Sequence, residues 1–282
     1  MKNIFIKTWN KVPAIIKGIL IGLTVQVIGV MPLFFLIQKN IEFLPTIPWA
    51  LAIGLIYTWL FWSFVSGKGK PFPTSASRQR FSRSNNIKPN VKKWAYISGI
   101  PFSITLIAFG LVGYFLTEVP LHQVQLLSAL KSIPMLTGIS LIFIAALITG
   151  FVEETAWRWY AQKIIEERHS VFISISVVAI VFTIIHFLPL PVWPLFILGS
   201  LGWGYLAYFS NSIIPGIIFH TIIDFVGFLW GMQNIEKLEA ILKHNIFIDG
   251  VNQQFIIIAS VALTFAIITV FSFKRLKLEM AQ

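Results

Sequence analysis

Two adjacent glutamates, Glu153 and Glu154, stand in the segment "GFVEETAWRWY" between long apolar runs. A charged side chain at mid-bilayer costs about 2.5–3.5 kcal/mol on insertion scales, so residues of this kind indicate function by default. Arg158 follows Glu154 by four residues, which puts the two on one helix face where they can form an ion pair. Glu153 lies about 100° further around the helix and has no such local partner. We therefore predict that Glu153 is the carboxylate available for chemistry.

Three more ionisable residues, His186, His220 and Asp224, also lie in apolar surroundings. His220 and Asp224 are spaced i,i+4, so Asp224 can accept a hydrogen bond from one ring nitrogen and orient the other. A glutamate with two histidines could carry out acid–base chemistry on a substrate. The same residue types could form the proton relay of a transporter. A serine nucleophile lacks a motif, since Ser200 and Ser210 are candidates only by their position.

The composition predicts that these residues lie in an integral membrane protein. The chain has 282 residues, of which 56% are hydrophobic and only 12% are charged, against about a quarter charged in soluble domains. It has no cysteine, which excludes disulfides, thiolate metal sites and a cysteine nucleophile. We predict an all-α polytopic transmembrane bundle with about eight spans, since each crossing needs about 20 residues. The apolar runs cover residues 15–36, 47–66, 94–117, 134–164, 171–188, 193–209, 213–231 and 254–273.

The depth of the polar residues follows from where these helices end. Beyond Gly150 the fourth run has no helix breaker, so we extend its helix to about Ile165. Glu153 then lies about 18 Å inside the cytoplasmic end of that helix. His220 lies about 12 Å from the corresponding end of its own helix, a depth that Glu153 can meet. His186 lies about 22 Å deep, which requires helix tilt, a re-entrant segment or a deep cavity.

Basic residues fix the predicted orientation. The formal charge is +11, and eight of the 22 Lys and Arg residues lie in residues 68–93, where there is no acid. Short basic loops stay in the cytoplasm, so this loop and both termini are predicted to be cytoplasmic. We expect a solvated loop that contacts anionic lipids, with no nucleic-acid partner, and disorder over residues 67–86, which are rich in Pro, Ser and basic residues. The whole chain, residues 1–282, is expected to form one transmembrane domain, with the basic loop at 67–93 and the polar core at about 138–231.

Three motifs in this order resemble the CPBP intramembrane proteases, which include the type II CAAX prenyl endopeptidases and bacterial proteins linked to bacteriocin processing and immunity. They are "EETAWR", "FTIIH" and "HTIID", which hold Glu153, Glu154, Arg158, His186, His220 and Asp224. The resemblance implies a helical bundle with a cavity open to the cytoplasm and a peptide or protein substrate at the membrane. The short loops favour a bacterial cell membrane.

The resemblance also implies roles for these residues. Glu153 would activate a water as general base, helped by His186. His220 and Asp224 would stabilise the tetrahedral oxyanion, and the Glu154–Arg158 pair would hold the site together. Asp224 departs from the family, which often has Asn at this position: an amide can donate a hydrogen bond, whereas an ionised Asp only accepts.

Metal dependence and catalysis itself stay open at this point. Glu153, His186 and His220 could form the three-ligand set of a catalytic divalent metal such as zinc. The chain has no HExxH motif, and the resemblance also supports a metal-free mechanism driven by glutamate. Two non-protease alternatives are a non-catalytic bacteriocin-immunity or binding protein and a proton-coupled transporter.

Overall fold

The structure is a computed structural model that describes residues 9, 11–81, 83, 87–117 and 122–282. It is 85% helical, and the described residues contain no β-strand. Short 3₁₀ turns occupy Phe72–Thr74 and Leu190–Val192. The helices, in chain order, are α1 (Ala14–Phe43), α2 (Trp49–Val65), α3 (Ser75–Arg80), α4 (Pro89–Leu116), α5 (His122–Lys131), α6 (Met135–Glu166), α7 (Val171–Ile184), α8 (Trp193–Ser210), α9 (Ile214–Gln233), α10 (Ile235–Lys243), α11 (Ile246–Asp249) and α12 (Gln253–Ala281).

Each of the eight predicted apolar runs forms a helix. Within the described part of the chain, six helices are long and apolar enough to cross a membrane, namely α1, α4, α6, α8 with its preceding turn, α9 and α12. The other two, α2 and α7, are apolar but shorter, with 17 and 14 residues. The chain is a multi-pass membrane protein with an all-helical fold, as predicted. The cytoplasmic location of the termini stays a prediction.

Helix α6 carries the two glutamates in its interior. It is α-helical over Met135–Glu153, widens into a π-helix over Glu154–Ala161, and returns to α-helix over Gln162–Glu166. The predicted extension of this helix to about Ile165 is therefore confirmed. The π-helix was not predicted, and segments of this kind are frequent at functional sites. The change in winding begins between Glu153 and Glu154, so it affects how the two adjacent carboxylates are directed.

Helix α7 ends earlier than predicted. The sequence indicated a span over residues 171–188, but the helix stops at Ile184, and His186 lies in the turn that follows. Phe187 has a φ of 51°, which a helix cannot contain, and Pro189 and Pro191 follow it. Fourteen residues make a helix of about 21 Å, shorter than the hydrocarbon core of about 30 Å. The helix is thus too short to cross the core, and the turn that follows it places Nε2 of His186 4.0 Å from Glu153.

Helix α6 lies at the centre of the bundle. Helix α1 packs along it on one side and α9 on another, while α12 lies along α4. The contact between α6 and α9 is close at Gly150, where a Cβ atom would lie 2.9 Å from the backbone nitrogen of Thr221. Small residues allow transmembrane helices to approach in this way. The close approach brings the next turn of α6, with Glu153, against His220 of α9.

The expectation of disorder over residues 67–86 is wrong for the part that the structure describes, which is 67–81 and 83. The Arg78 guanidinium donates to the carbonyl of Phe64, and at 2.9 and 2.7 Å to those of Gly69 and Pro71. Composition alone predicts a solvated loop, because it does not show which backbone carbonyls accept hydrogen bonds from the basic side chains. The end of α2 and the following turn supply those acceptors. Ser82 and residues 84–86 lie outside the described residues.

Arg83 is buried as well, with a side chain only 1% exposed. It pairs with Glu166 at the end of α6 and donates to the carbonyl of Arg158 at 3.3 Å. The nearby pair of Arg80 with Glu167 is more exposed, at 68% and 32% of the two side chains. The basic loop is therefore anchored to the helix that carries the glutamates.

Candidate active site

Glu153 lies at the point where three helices meet, and the residue is 5% exposed. Its Oε1 accepts a hydrogen bond from Nε2 of Gln26 at 3.1 Å and lies 4.0 Å from Nε2 of His186. Its Oε2 lies 3.6 Å from Nε2 of His220. One carboxylate therefore faces the same nitrogen of two different histidines, with separations that a water molecule could bridge.

Gln26, on α1, was missed by sequence reasoning, which found no motif in the first three helices. Its Oε1 accepts a hydrogen bond from Nε1 of Trp157 at 3.2 Å. The indole can only donate, so it fixes the orientation of the amide and directs the Gln26 Nε2 group toward Glu153. A neutral amide in a transmembrane helix is a weak sequence signal, and its partner is 127 positions away.

Glu154 occupies a separate and fully buried environment. Its Oε1 lies 3.4 Å from Nη1 of Arg158 and 3.2 Å from Nδ1 of His220. Arg158 also donates from Nη2 to the Ser200 hydroxyl at 3.1 Å, and its guanidinium lies 4.6 Å from the ring centre of Phe182. The i,i+4 ion pair expected from the sequence is formed. Ser200 contacts this arginine as a hydrogen-bond acceptor, a contact that sequence reasoning did not foresee.

His220 is held by a hydrogen bond on one ring nitrogen and by stacking on its face. Nδ1 donates to the paired Glu154 carboxylate, which leaves Nε2 directed at Glu153. The imidazole stacks on Trp203 with ring centres 5.4 Å apart and an angle of 13° between the planes. Asp224 Oδ2 lies 3.7 Å from Nε2. The sequence suggested that Asp224 orients this ring, but Glu154 bonds the other nitrogen, and Asp224 lies beside the one that faces Glu153.

His186 has its own orienting partner. Its Nδ1 donates to the Phe182 carbonyl at 2.6 Å, so in the neutral ring Nε2 presents a lone pair toward Glu153. The ring centres of Phe182 and Phe196 lie 4.4 and 5.0 Å from the centre of the imidazole. The sequence predicted that His186 lies at a different depth from Glu153. The two side chains nevertheless face each other, because the turn after α7 places His186 beside Glu153.

Exposure is graded across the site. The side chains of His186 and Asp224 are 27% and 20% exposed, those of His220 and Glu153 are 11% and 7% exposed, and Glu154 and Arg158 are closed to solvent. The site is therefore most open on the side of His186 and Asp224. Glu154 and Arg158 form its closed inner wall.

All six residues selected from the sequence meet in this site. The donor types of Glu153, His186 and His220 would suit zinc. However, no group of three His, Cys, Asp or Glu side chains among the described residues is arranged to hold a metal ion. Glu153 also has one oxygen bonded to Gln26. The arrangement therefore does not fit a preformed metal site, and we derive no step through a metal.

Comparison with known families supports the resemblance seen in the motifs. Residues 135–226 match the model of the family described as type II CAAX prenyl endopeptidase Rce1-like. This is about a third of the chain, and it includes all six residues of the site. The resemblance to the CPBP proteases is thereby confirmed over these residues. No curated protein and no solved structure matches the chain significantly.

Proposed function

We propose that this chain, whose residues 135–226 match the Rce1-like endopeptidase family, is an intramembrane endopeptidase that uses Glu153 to activate water. The substrate class is a membrane-associated or lipidated peptide or protein. The family match supports protease activity in general terms, and the water-activating role of Glu153 is our own inference. The observation that carries it is the position of this carboxylate between two histidine Nε2 atoms, while Arg158 pairs with Glu154.

In the proposed mechanism, a water lies between Glu153 and Nε2 of His186, which are 4.0 Å apart. Glu153 removes one proton from this water as the oxygen attacks the scissile carbonyl carbon. His186 orients the water by accepting a hydrogen bond from its second proton. Glu153 then transfers the proton that it has taken to the departing amine, so that the C–N bond breaks and the carboxylate returns to its starting state.

The oxyanion of the tetrahedral intermediate lies against His220. In this mechanism His220 carries a proton on each nitrogen: Nδ1–H donates to Glu154, and Nε2–H donates to the oxyanion. The carboxylates of Glu153 and Glu154 lie 3.6 and 3.2 Å from the two ring nitrogens and would balance this charge. Asp224, 3.7 Å from Nε2, would supply a second donor in its protonated form. The buried Glu154–Arg158 pair keeps the imidazole in place.

The proposal is tested by comparing membrane and secreted peptides from cells that make the wild-type chain or Glu153→Gln at equal levels. We expect a peptide or trimmed terminus that appears only with the wild type. Glu42→Gln is the matched control, since this exposed glutamate at the end of α1 bonds to its helix neighbours Gln38 and Lys39. Identical peptides from both chains, with the variant stable and the phenotype intact, would indicate a binding or immunity role.

Metal dependence requires a separate experiment. We expect purified protein to keep its peptidase activity after dialysis against a chelator, because the proposed steps use only side chains. Stoichiometric zinc in the purified protein, together with loss of activity on chelation and recovery on addition of zinc, would overturn the metal-free mechanism. It would leave the assignment as a protease intact.

A further inference from the structure

A groove of about 420 Å³ runs along the outside of the bundle between α4, α8 and α12. Its walls are almost entirely apolar and include Phe102, Tyr205, Phe209 and Phe273. It is separate from the active site. Phe102 forms part of the wall and is only 3% exposed, and its ring packs edge-on against Trp203 at 4.7 Å. This aromatic layer closes the groove off from His220, on which Trp203 stacks.

Two lysines, Lys274 and Lys277, line one end of the groove. Both are exposed, and neither forms an ion pair with a carboxylate in the part of the chain that the structure describes. Arg275, between them in sequence, is by contrast paired with Glu279 at 2.7 Å. The groove therefore ends in two positive charges that lack a counter-charge from the protein itself.

The length of the groove fits one leaflet of a bilayer. Its lining on α12 extends from Ala266 to Lys277, eleven steps along the helix, or about 16 Å. This is about half of the ~30 Å hydrocarbon core. An acyl chain that filled the apolar part would place its headgroup beside the lysines, where a phosphate would meet the two charges.

We propose that this groove binds an anionic phospholipid, with its acyl chain along Phe102 and Thr269 and its headgroup at Lys274 and Lys277. The charges favour this occupant over a zwitterionic lipid. A second copy of the chain would have to bring an acidic patch to the same end. The site differs from residues 68–93, where Arg78 and Arg83 are occupied by internal contacts.

Native mass spectrometry of the full-length protein in detergent tests this inference without any peptidase assay, so it does not depend on the proposed function. The probes are phosphatidylglycerol and phosphatidylcholine with identical acyl chains. We expect the wild type to retain one phosphatidylglycerol, and the Lys274→Gln/Lys277→Gln variant to bind it about 30-fold more weakly, since each lysine near an anionic headgroup contributes about 1 kcal/mol. Ala266→Phe, which fills the apolar part and keeps the lysines, should also weaken binding.

The matched control is Lys131→Gln/Lys237→Gln, which removes two exposed lysines, on α5 and α10, that do not line the groove. It should bind phosphatidylglycerol like the wild type. Three results would overturn the proposal: equal retention of both lipids by the wild type, unchanged phosphatidylglycerol binding in the Lys274/Lys277 variant, or loss of binding only in the control. A lipid-free dimer that closes the groove would overturn it as well.

Discussion

At the scale of single residues, the site depends on separating two adjacent carboxylates. Glu154 lies 3.4 Å from Arg158 and accepts the Nδ1–H of His220, whereas Glu153 accepts a hydrogen bond from the neutral amide of Gln26 and lies 3.6 and 4.0 Å from His220 and His186. In a buried ion pair the two charges compensate each other, so the pair is suited to a structural role. A carboxylate without such a pair is better placed to accept a proton.

Gln26 is expected to act as a positioning residue for Glu153. Gln26→Leu should lower kcat of the peptidase by about 10–100-fold with little change in KM, since small misplacement of a catalytic group can cost about 10²-fold. The control is Gln38→Leu, which replaces an exposed glutamine on the same helix. Steady-state kinetics on reconstituted protein gives kcat and KM for both variants. A Gln26→Leu enzyme with wild-type kcat would exclude this role.

Asp224 can be tested by the residue that the family often has at this position. Asp224→Asn should retain activity within about threefold, because its amide can donate to an oxyanion, whereas Asp224→Ala should lose about 10²–10³-fold, as when an oxyanion-hole donor is removed. Rates for the two variants at one pH give the comparison. If Asn and Ala are equally impaired, Asp224 works through its charge and not by donating.

At the scale of elements, helix packing sets the distances between these side chains. Gly216, at the start of α9, is so close to α6 that a Cβ atom would lie 2.7 Å from the unbonded Oε2 of Glu154. The approach of α9 to α6 thus depends on a missing side chain at the buried wall of the site. The same contact sets how far His220 lies from Glu153.

Gly216→Ala should therefore destabilise the protein by about 1–3 kcal/mol, the usual cost of overpacking, and should lower activity. Gly227→Ala is the control on the same helix, where the added methyl meets open space. Thermal unfolding in detergent, followed by a peptidase assay, measures both effects. Equal unfolding temperatures for the two variants would show that the Glu154 carboxylate or α9 can shift at little cost, and that this contact does not fix the packing of α9 on α6.

The basic loop gives a second test at this scale. Arg83→Met removes the buried cation beside Glu166, which keeps Gln162 at 2.8 Å and Lys163 at 3.9 Å. Breaking a buried pair typically costs about 3–5 kcal/mol, and the remaining partners place the expected cost at the lower end. Arg80→Met removes the neighbouring exposed pair with Glu167 and should cost at most about 1 kcal/mol. Unfolding of both variants in the same detergent provides the comparison. If Arg80→Met proved the more damaging change, the loop would not be anchored through Arg83.

At the scale of the whole molecule, hydropathy predicted the helices, and the spacing of ionisable residues in apolar runs indicated six residues that lie close together in the structure. Every apolar run became a helix, and Glu153, His186 and His220 meet although they are far apart in the sequence. These signals are local, because a span needs only a run of apolar residues, and an isolated charge in such a run is conspicuous.

Other features depend on contacts that no local pattern reveals. Gln26 and Ser200 are ordinary polar residues until Trp157 and Arg158 are placed beside them. The order of the basic loop depends on carbonyls that accept from Arg78. The early end of α7 depends on the positive φ of Phe187, which composition does not predict.

The central claim is that Glu153 activates water for peptide hydrolysis. The most direct measurement is cleavage of a lipidated peptide by purified, reconstituted protein in ¹⁸O-labelled water, with the product masses determined by mass spectrometry. The wild type should place one ¹⁸O in the new carboxyl terminus, and Glu153→Gln, folded and equally stable, should cleave at least about 10³-fold more slowly, in the range of general acid–base catalysis. Cleavage by Glu153→Gln at the wild-type rate would contradict the account.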